Sequence, residues 1–310
     1  MRERLQILNK RIIVFFLLLI IVGLSMVSIL LITRSGVGVH PDTVTYVEAA
    51  QNLLNGVGLR VLSDDGEFTV LTHFPPLYSI VLALFGLIGW DPLSGARWMN
   101  SFLFAANGLI TGLLVRRYNQ SNLIFFSTLF LFATSVDMLS IHAMTYSEPL
   151  FIFLCLMGTS FFLRYLDTQR SKPLVISSGC FALALLSRYA GIFLLMLGAL
   201  SIWMMDSEQK ARKLKDSLIF TAIYSFPIGL WIARNLVVYK HATDRELSFH
   251  PLTIGHIKSG LSTVSLWLFP SMIPGPVRVG MTMVVLVGLF LLCVDRRFGH
   301  KLEWYADQRI

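Results

Sequence analysis

Long apolar runs separated by short polar segments dominate the pattern of this chain. The first run, Ile12 to Thr33, carries no charged residue and exceeds the roughly 20 residues that span a hydrocarbon core. It has no small-x-small cleavage site, so we predict a retained transmembrane helix rather than a signal peptide. The later runs predict an all-α, polytopic bundle of about eight spans, forming one membrane domain over residues 1–310.

The segments between the runs are predicted to differ in role. Residues 34–95 form a loop with amphipathic juxtamembrane helices, residues 96–294 hold the remaining spans and residues 295–310 form a tail. Within the loop, Asp42 to Asn55 has the apolar spacing of a short helix. The run Leu77 to Trp90 is marginal for a crossing, so we predict a surface or re-entrant helix.

Two later apolar runs differ in the number of crossings that their lengths allow. Leu123 to Val136 is predicted to cross once. Leu174 to Met205 is long enough for two crossings, and Ser187-Arg188-Tyr189 interrupts it with the only charge in the stretch. We therefore predict a turn between two helices at Arg188.

Composition excludes a soluble globule, since 55% of the residues are hydrophobic, 14% are charged and the mean hydropathy is +0.67. The formal charge of +8 comes from short basic clusters rather than a continuous surface, which disfavours nucleic-acid binding. Basic clusters at residues 2–11 and 210–215 place the amino terminus in the cytoplasm, and the acid-rich loop 34–91 on the outer face. We expect a multi-pass protein of the cell membrane, either inner or plasma.

Four charged residues fall at predicted outer helix ends: Asp42, Glu148, Arg188 and Arg234. Asp42 suits a helix start, where an acid interacts favourably with the helix dipole, but it also suits a reaction site at the lip of a bilayer. Tyr46 lies one turn later and could present a polar edge to a bound molecule.

Each of the other three charges also allows one structural and one functional interpretation. Glu148 fits a helix start, yet a carboxylate beside hydrocarbon favours a paired cation or metal. Arg188 and Arg234 either extend to the lipid headgroups or bind an anion such as a phosphate. His73 lies on the same predicted face, but no HxxxH or HxH spacing supports zinc. No cofactor is predicted with certainty, and a divalent metal held by Asp42 and Glu148 stays open.

At these residues the chain resembles the membrane glycosyltransferases of the GT-C fold, especially bacterial relatives of protein O-mannosyltransferases and aminoarabinose transferases (glycosyltransferase family 39/83-like). No single stretch is specific, but six occur in order, each at a predicted outer end. The matching stretches are Asp42-Thr43-x-x-Tyr46, Thr72-His73-Phe74-Pro75-Pro76, Ala96-Arg97-x-x-Asn100, Ser147-Glu148-Pro149, Leu186-Ser187-Arg188-Tyr189 and Trp231-x-x-Arg234-Asn235.

The resemblance implies transfer of a hexosyl or pentosyl group, with inversion, from a polyprenyl-phosphate-linked donor to a protein, lipid or glycan acceptor. It makes the carboxylates Asp42 and Glu148 the catalytic residues of the first and second outer loops, with Tyr46, His73, Arg188 and Arg234 as substrate-binding candidates. The short helix after Pro75-Pro76 could help form a groove open to lipid. Relatives extend further, so we expect a carboxyl end that is short for the family. A transporter or flippase of lipid-linked sugar, and a non-catalytic truncated relative, are the alternatives.

Overall fold

A computed structural model describes residues 2–63, 66–205, 209–244 and 251–294. By its internal contacts the chain divides into two compact units, Met1–Glu246 and Leu247–Ile310. The single membrane domain over residues 1–310 stays a prediction. The predicted tail, 295–310, lies outside the described residues, as does the acidic pair Asp64 and Asp65 of the predicted outer loop.

The first unit is helical, with one small hairpin, and the all-α polytopic prediction is confirmed. Most helices begin at or near the amino-terminal ends of the predicted runs. In chain order the elements are α1 (Arg2–Ile32), α2 (Pro41–Leu54), β1 (Arg60–Leu62), β2 (Phe68–Val70), α3 (Leu77–Leu87), α4 (Pro92–Tyr118), α5 (Asn122–Thr134), α6 (Val136–Ala143), α7 (Glu148–Thr168), α8 (Ser171–Ser187), a 3-10 turn (Tyr189–Gly191), α9 (Ile192–Met204) and α10 (Lys210–Tyr239).

Four described helices are long and apolar enough to cross a membrane: Val14–Ile32 of α1, then α4, α7 and α10. The predicted single crossing at 123–136 is a bent pair, α5 and α6, which meet at 53° and would make a fifth span if counted together. Helices α3, α8 and α9 are apolar but shorter. The count of eight therefore stays a prediction.

The juxtamembrane loop contains more structure than its pattern predicts. α2 and α3 occupy the two predicted helical segments, and between them β1 and β2 pair as an antiparallel hairpin, with Val61 opposite Thr69. Three-residue strands are too short to show a reliable alternation of apolar and polar positions. α4 also begins at Pro92, four residues before the predicted boundary, because the Asp91 carboxylate accepts from the backbone amides of Leu93 and Ser94.

Two groups of buried side chains hold this unit together. The larger one joins α7 to α10 and consists of Phe162, Tyr165, Leu174, Phe181, Leu185, Ile202, Phe220 and Tyr224. The smaller one joins α2, α3 and the start of α4 and consists of Tyr46, Ala50, Tyr78, Leu82, Ala83 and Ala96. Large apolar side chains such as Phe193 and Leu197 of α9 and Phe226 of α10 are exposed, as expected of surfaces that face lipid.

Helices α7 and α8 approach each other closely at Gly158. Ser177 Oγ donates to the Gly158 carbonyl at 2.8 Å, and the Phe181 ring covers the glycine. Small residues permit such a close approach of helices within a membrane, where packing rather than water exclusion drives association.

Replacing Gly158 with alanine should therefore destabilise the unit by about 1–3 kcal/mol, because the new Cβ would lie 2.5 Å from the packed Phe181 ring. Gly179→Ala on α8 is the matched control, since a Cβ there meets nothing within 4 Å. Thermal unfolding of both variants in detergent measures the difference. Equal melting temperatures would show that α7 and α8 do not pack at Gly158.

The second unit contains α11 (Ile254–Leu268) and α12 (Gly275–Val294), which pack together. Thr253 and His256 form a capping box at the start of α11. Arg278 Nε donates to Ser265 Oγ at 2.8 Å, so this buried guanidinium is bound within the unit.

Candidate active site

A short backbone bridge joins the start of α2 to the start of α7. The amide of Gly38 donates to the Ala143 carbonyl and the amide of Thr145 donates to the Gly38 carbonyl, both at 2.9 Å. A Cβ at position 38 would lie 2.0 Å from the Met144 sulfur, so any larger residue would have to displace the Met144 side chain. The bridge brings the segment of Asp42 next to that of Glu148.

Two polar side chains fix the bridged segments. Thr43 Oγ1 donates to the Thr145 carbonyl at 3.0 Å, and Asn100 Nδ2 of α4 donates to the Met144 carbonyl at 2.7 Å. Thr43, Asn100 and Thr145 are all buried. Buried bonds of this kind hold a loop in one conformation, because breaking them leaves a polar group unsatisfied.

Glu148 and Arg188 form an ion pair at the centre of the site. Arg188 Nη1 lies 2.7 Å from Glu148 Oε1 and also donates to Ser147 Oγ at 3.1 Å. About a third of each charged side chain is exposed, 33% for Arg188 and 31% for Glu148. The pair is therefore reachable from outside. Among the described residues, the Nε and Nη2 donors of Arg188 have no hydrogen-bond partner.

Tyr46 lies beneath this pair rather than at its edge. Its ring is 1% exposed and packs against Phe74 and Tyr78, with ring centroids 4.8 and 4.9 Å away. Its hydroxyl is 3.2 Å from Ser147 Oγ. Burial raises the pKa of Tyr46 to about 12, so the hydroxyl stays protonated. We expect Tyr46 to position Ser147, and its contact with substrate stays a prediction.

Asp42 occupies the first turn of α2 with its carboxylate accessible. Its side chain is 40% exposed, and Oδ1 lies 3.7 Å from Nδ1 of His40. Thr43 and His40, not Asp42, form the capping box of the helix. Asp42 is therefore not needed as a cap, and its carboxylate is able to accept a proton or a hydrogen bond.

Arg234 holds the hairpin against α10. Its Nη1 donates to the Leu71 carbonyl at 3.3 Å and its Nη2 to the Leu59 carbonyl at 3.2 Å, while the guanidinium lies 4.8 Å from the Trp231 ring centroid. Through these contacts the Arg234 side chain holds the hairpin segment in position. Phosphate binding by Arg234 stays a prediction.

Tyr189 connects the hairpin to Arg188. Its hydroxyl donates to the Thr72 carbonyl at 3.1 Å and accepts from Trp231 Nε1 at 3.2 Å. Next to Thr72, His73 Nδ1 lies 3.3 Å from Asp244 Oδ1. His73 and Asp244 both line a polar cavity of about 230 Å³. Sequence reasoning missed Asp244, because a single acid after the end of α10 carries no local signal.

An apolar groove runs along α2. It has a volume of about 360 Å³ and is lined by Val39, Thr43, Val44, Val47, Glu48, Gln51 and Leu93. Thr43 and Val44 directly follow Asp42 in the chain. The groove is therefore built by α2 and the start of α4. A lipid-open groove formed by the helix after Pro75-Pro76 stays a prediction.

The donor set suits a divalent cation poorly. No group of three or more His, Cys, Asp or Glu side chains in the described part of the chain could hold a metal ion. The Glu148 carboxylate already faces the guanidinium of Arg188, whose positive charge repels a second cation. We therefore derive no step through a metal.

The predicted site residues thus form two linked groups on one end of the helices. Tyr46 and Arg188 both contact Ser147 beside Glu148, and the charges of Arg188, Asp42 and Glu148 all act on Tyr46. The second group, His73 and Arg234, lies around the hairpin, which Tyr189 joins to the first through Thr72.

A family model described as dolichyl-phosphate-mannose-protein mannosyltransferase matches residues 73–231, just over half of the 310-residue chain. The chain belongs to this family. It is a membrane glycosyltransferase of the GT-C type, and this confirms the GT-C resemblance seen in the sequence. The narrower family 39/83 assignment stays a prediction. No curated protein matches the chain.

The match to the mannosyltransferase family covers only part of the site. His73, Glu148 and Arg188 lie within residues 73–231, whereas Asp42, Tyr46 and Arg234 lie outside them. The bridge between Gly38 and Met144 connects the unmatched amino-terminal segment to the matched one.

Proposed function

We propose that this protein transfers a sugar, with inversion, from a polyprenyl-phosphate-linked donor to an acceptor hydroxyl at the outer face of the cell membrane. Asp42 serves as the base, and Arg188 binds the departing phosphate. Family membership supports sugar transfer, and the accessible carboxylate and guanidinium at one end of the helices support the assignment of roles.

The proposal rests on the two guanidinium donors of Arg188 that are unpaired among the described residues. Glu148 and Ser147 hold one nitrogen of the guanidinium, and the Nε and Nη2 donors have no partner in the described part of the chain. Those two donors form one edge of the planar fork, the geometry that binds two phosphate oxygens at once. Glu148 fixes the orientation of the guanidinium before substrate arrives.

The reaction needs one base and one anion-binding group. The acceptor oxygen attacks the anomeric carbon while the bond from that carbon to the phosphate oxygen breaks. The hydroxyl proton goes to the Asp42 carboxylate, and the electron pair of the broken bond stays on the phosphate, beside Arg188. A phosphate leaves without protonation, so no general acid is required.

The apolar groove beside Asp42 supports a lipid-linked substrate. Its lining is mostly aliphatic, and it starts one residue from the proposed base. A polyprenyl chain lying there would leave its phosphate end near α2. The acceptor is a protein, a lipid or a glycan.

The direct test uses the purified full chain in liposomes with a synthetic polyprenyl-phosphate mannose and a panel of hydroxyl acceptors. We expect release of polyprenyl phosphate together with a glycosylated acceptor whose anomeric configuration is inverted. Measuring both products by mass spectrometry and NMR separates transfer from hydrolysis.

Two results would reject the proposal. Movement of intact donor between leaflets without cleavage would indicate a transporter. Binding of donor without release of polyprenyl phosphate, across all acceptors and several donor sugars, would indicate a non-catalytic relative.

A further inference from the structure

A basic cleft lies between the end of α7 and the start of α8, at the opposite end of α7 from Glu148. It has a volume of about 370 Å³, and three cationic side chains line it: Arg164, Arg170 and Lys172. Thr168 adds a hydroxyl to the same wall. Among the described residues that line the cleft there is no carboxylate.

The three cations have no anionic partner among the described residues. The nearest acid along the helix, Asp167, is paired with Arg117 of α4. All three cationic side chains are exposed. Three like charges around one cleft repel each other, so an anion there would be favoured.

The wall of the cleft below the charges is apolar. Phe161 of α7 and Ile176 of α8 line it, each about one turn further into the helical region than the nearest cation. α7 is long and apolar enough to cross a membrane, and its rise from Glu148 to Thr168 is about 30 Å, close to the thickness of a hydrocarbon core. The cleft lies at the end of α7 opposite Glu148, where we expect the second membrane boundary.

We propose that this cleft binds the phosphate headgroup of an anionic phospholipid. Arg164, Arg170 and Lys172 surround the phosphate, and the first acyl carbons lie against Phe161 and Ile176. Basic pockets between transmembrane helices at a membrane boundary recognise lipid headgroups in this way. This inference does not depend on the proposed transfer reaction.

Diffuse attraction and binding of free phosphate would each give a different result from a phospholipid site. Long basic side chains extend to headgroups without any specific site, in which case every exposed cation at this boundary contributes equally. A free inorganic phosphate offers the same oxygens but no acyl chain, so the apolar wall would contribute nothing to its binding.

The test measures phosphatidylglycerol bound to the delipidated full chain by native mass spectrometry. The double variant Arg164→Gln with Lys172→Gln should lower the affinity for phosphatidylglycerol about tenfold or more. The control is Lys210→Gln with Lys215→Gln, which removes the same charge from exposed positions of α10 outside the cleft. It should change the affinity less than about twofold. Millimolar inorganic phosphate should not displace the lipid.

Equal losses in both double variants would reject a specific site in favour of diffuse attraction. Unchanged affinity in the cleft variant, or displacement of the lipid by inorganic phosphate, would reject the phospholipid assignment. Thermal unfolding checks that each variant folds. If the double variant does not fold, the single variant Lys172→Gln should show the same selective loss, and its absence would reject the proposal.

Discussion

Asp42→Asn should lower the rate of sugar transfer about 100- to 10,000-fold, the range expected for loss of a general base. Asparagine keeps the shape of the side chain but cannot take the acceptor proton. Binding of the donor should be almost unchanged, because the proposed phosphate ligand is Arg188. Initial rates and donor affinity, measured in the same liposomes, separate the two effects.

Asp137→Asn is the matched control for this variant. Asp137 is an exposed acid in the first turn of α6, the same helical position that Asp42 occupies in α2. Each substitution removes a favourable helix-dipole interaction of about 0.3–1 kcal/mol, so the two should have similar small effects on thermal stability. Transfer by Asp42→Asn at the wild-type rate would show that Asp42 is not the base.

Arg188→Gln should lower the transfer rate about 100- to 1,000-fold, as loss of one preorganised charge at a developing anion does. The variant should also weaken donor binding, because the Nε and Nη2 donors of Arg188 are the groups left for the phosphate. A second consequence concerns stability. Without Arg188, the partly buried Glu148 carboxylate has no cation beside it, so the melting temperature should fall.

The double variant Arg188→Gln with Glu148→Gln separates these two roles. Removing both charges should restore much of the stability lost in Arg188→Gln, because no unpaired carboxylate remains. Transfer should stay low, because no cation faces the phosphate. Recovery of transfer in the double variant would show that Arg188 only neutralises Glu148 and does not bind the donor.

The juxtaposition of Asp42 and Glu148 depends on contacts that no local pattern encodes. Thr43 bonds to the carbonyl of Thr145, 102 residues away, and Gly38 pairs with Met144. Gly38 carries no signal of this pairing in the sequence, since a glycine in a loop predicts flexibility rather than a partner. Its neighbour across the bridge is determined by how α1, α4 and α6 pack.

The sequence also does not distinguish the roles of Arg188 and Arg234. Both arginines follow apolar runs, so the sequence allows both the same two interpretations, phosphate binding or headgroup contact. The structure separates them: Arg188 keeps two available donors beside Glu148, while Arg234 donates to carbonyls flanking the hairpin and stacks on Trp231. The signal of three-residue strands is too weak for the hairpin to be predicted as the partner of Arg234.

The sequence by itself determined the membrane class, the helical content and the positions of most helices. It did so because apolar runs of membrane length and their charged boundaries are local properties that lipid imposes on any chain. Only the tertiary structure decided which charges pair, which tyrosine is buried and where an apolar groove begins. Those outcomes depend on contacts between residues 28 to 175 positions apart, which are set by packing rather than by periodicity.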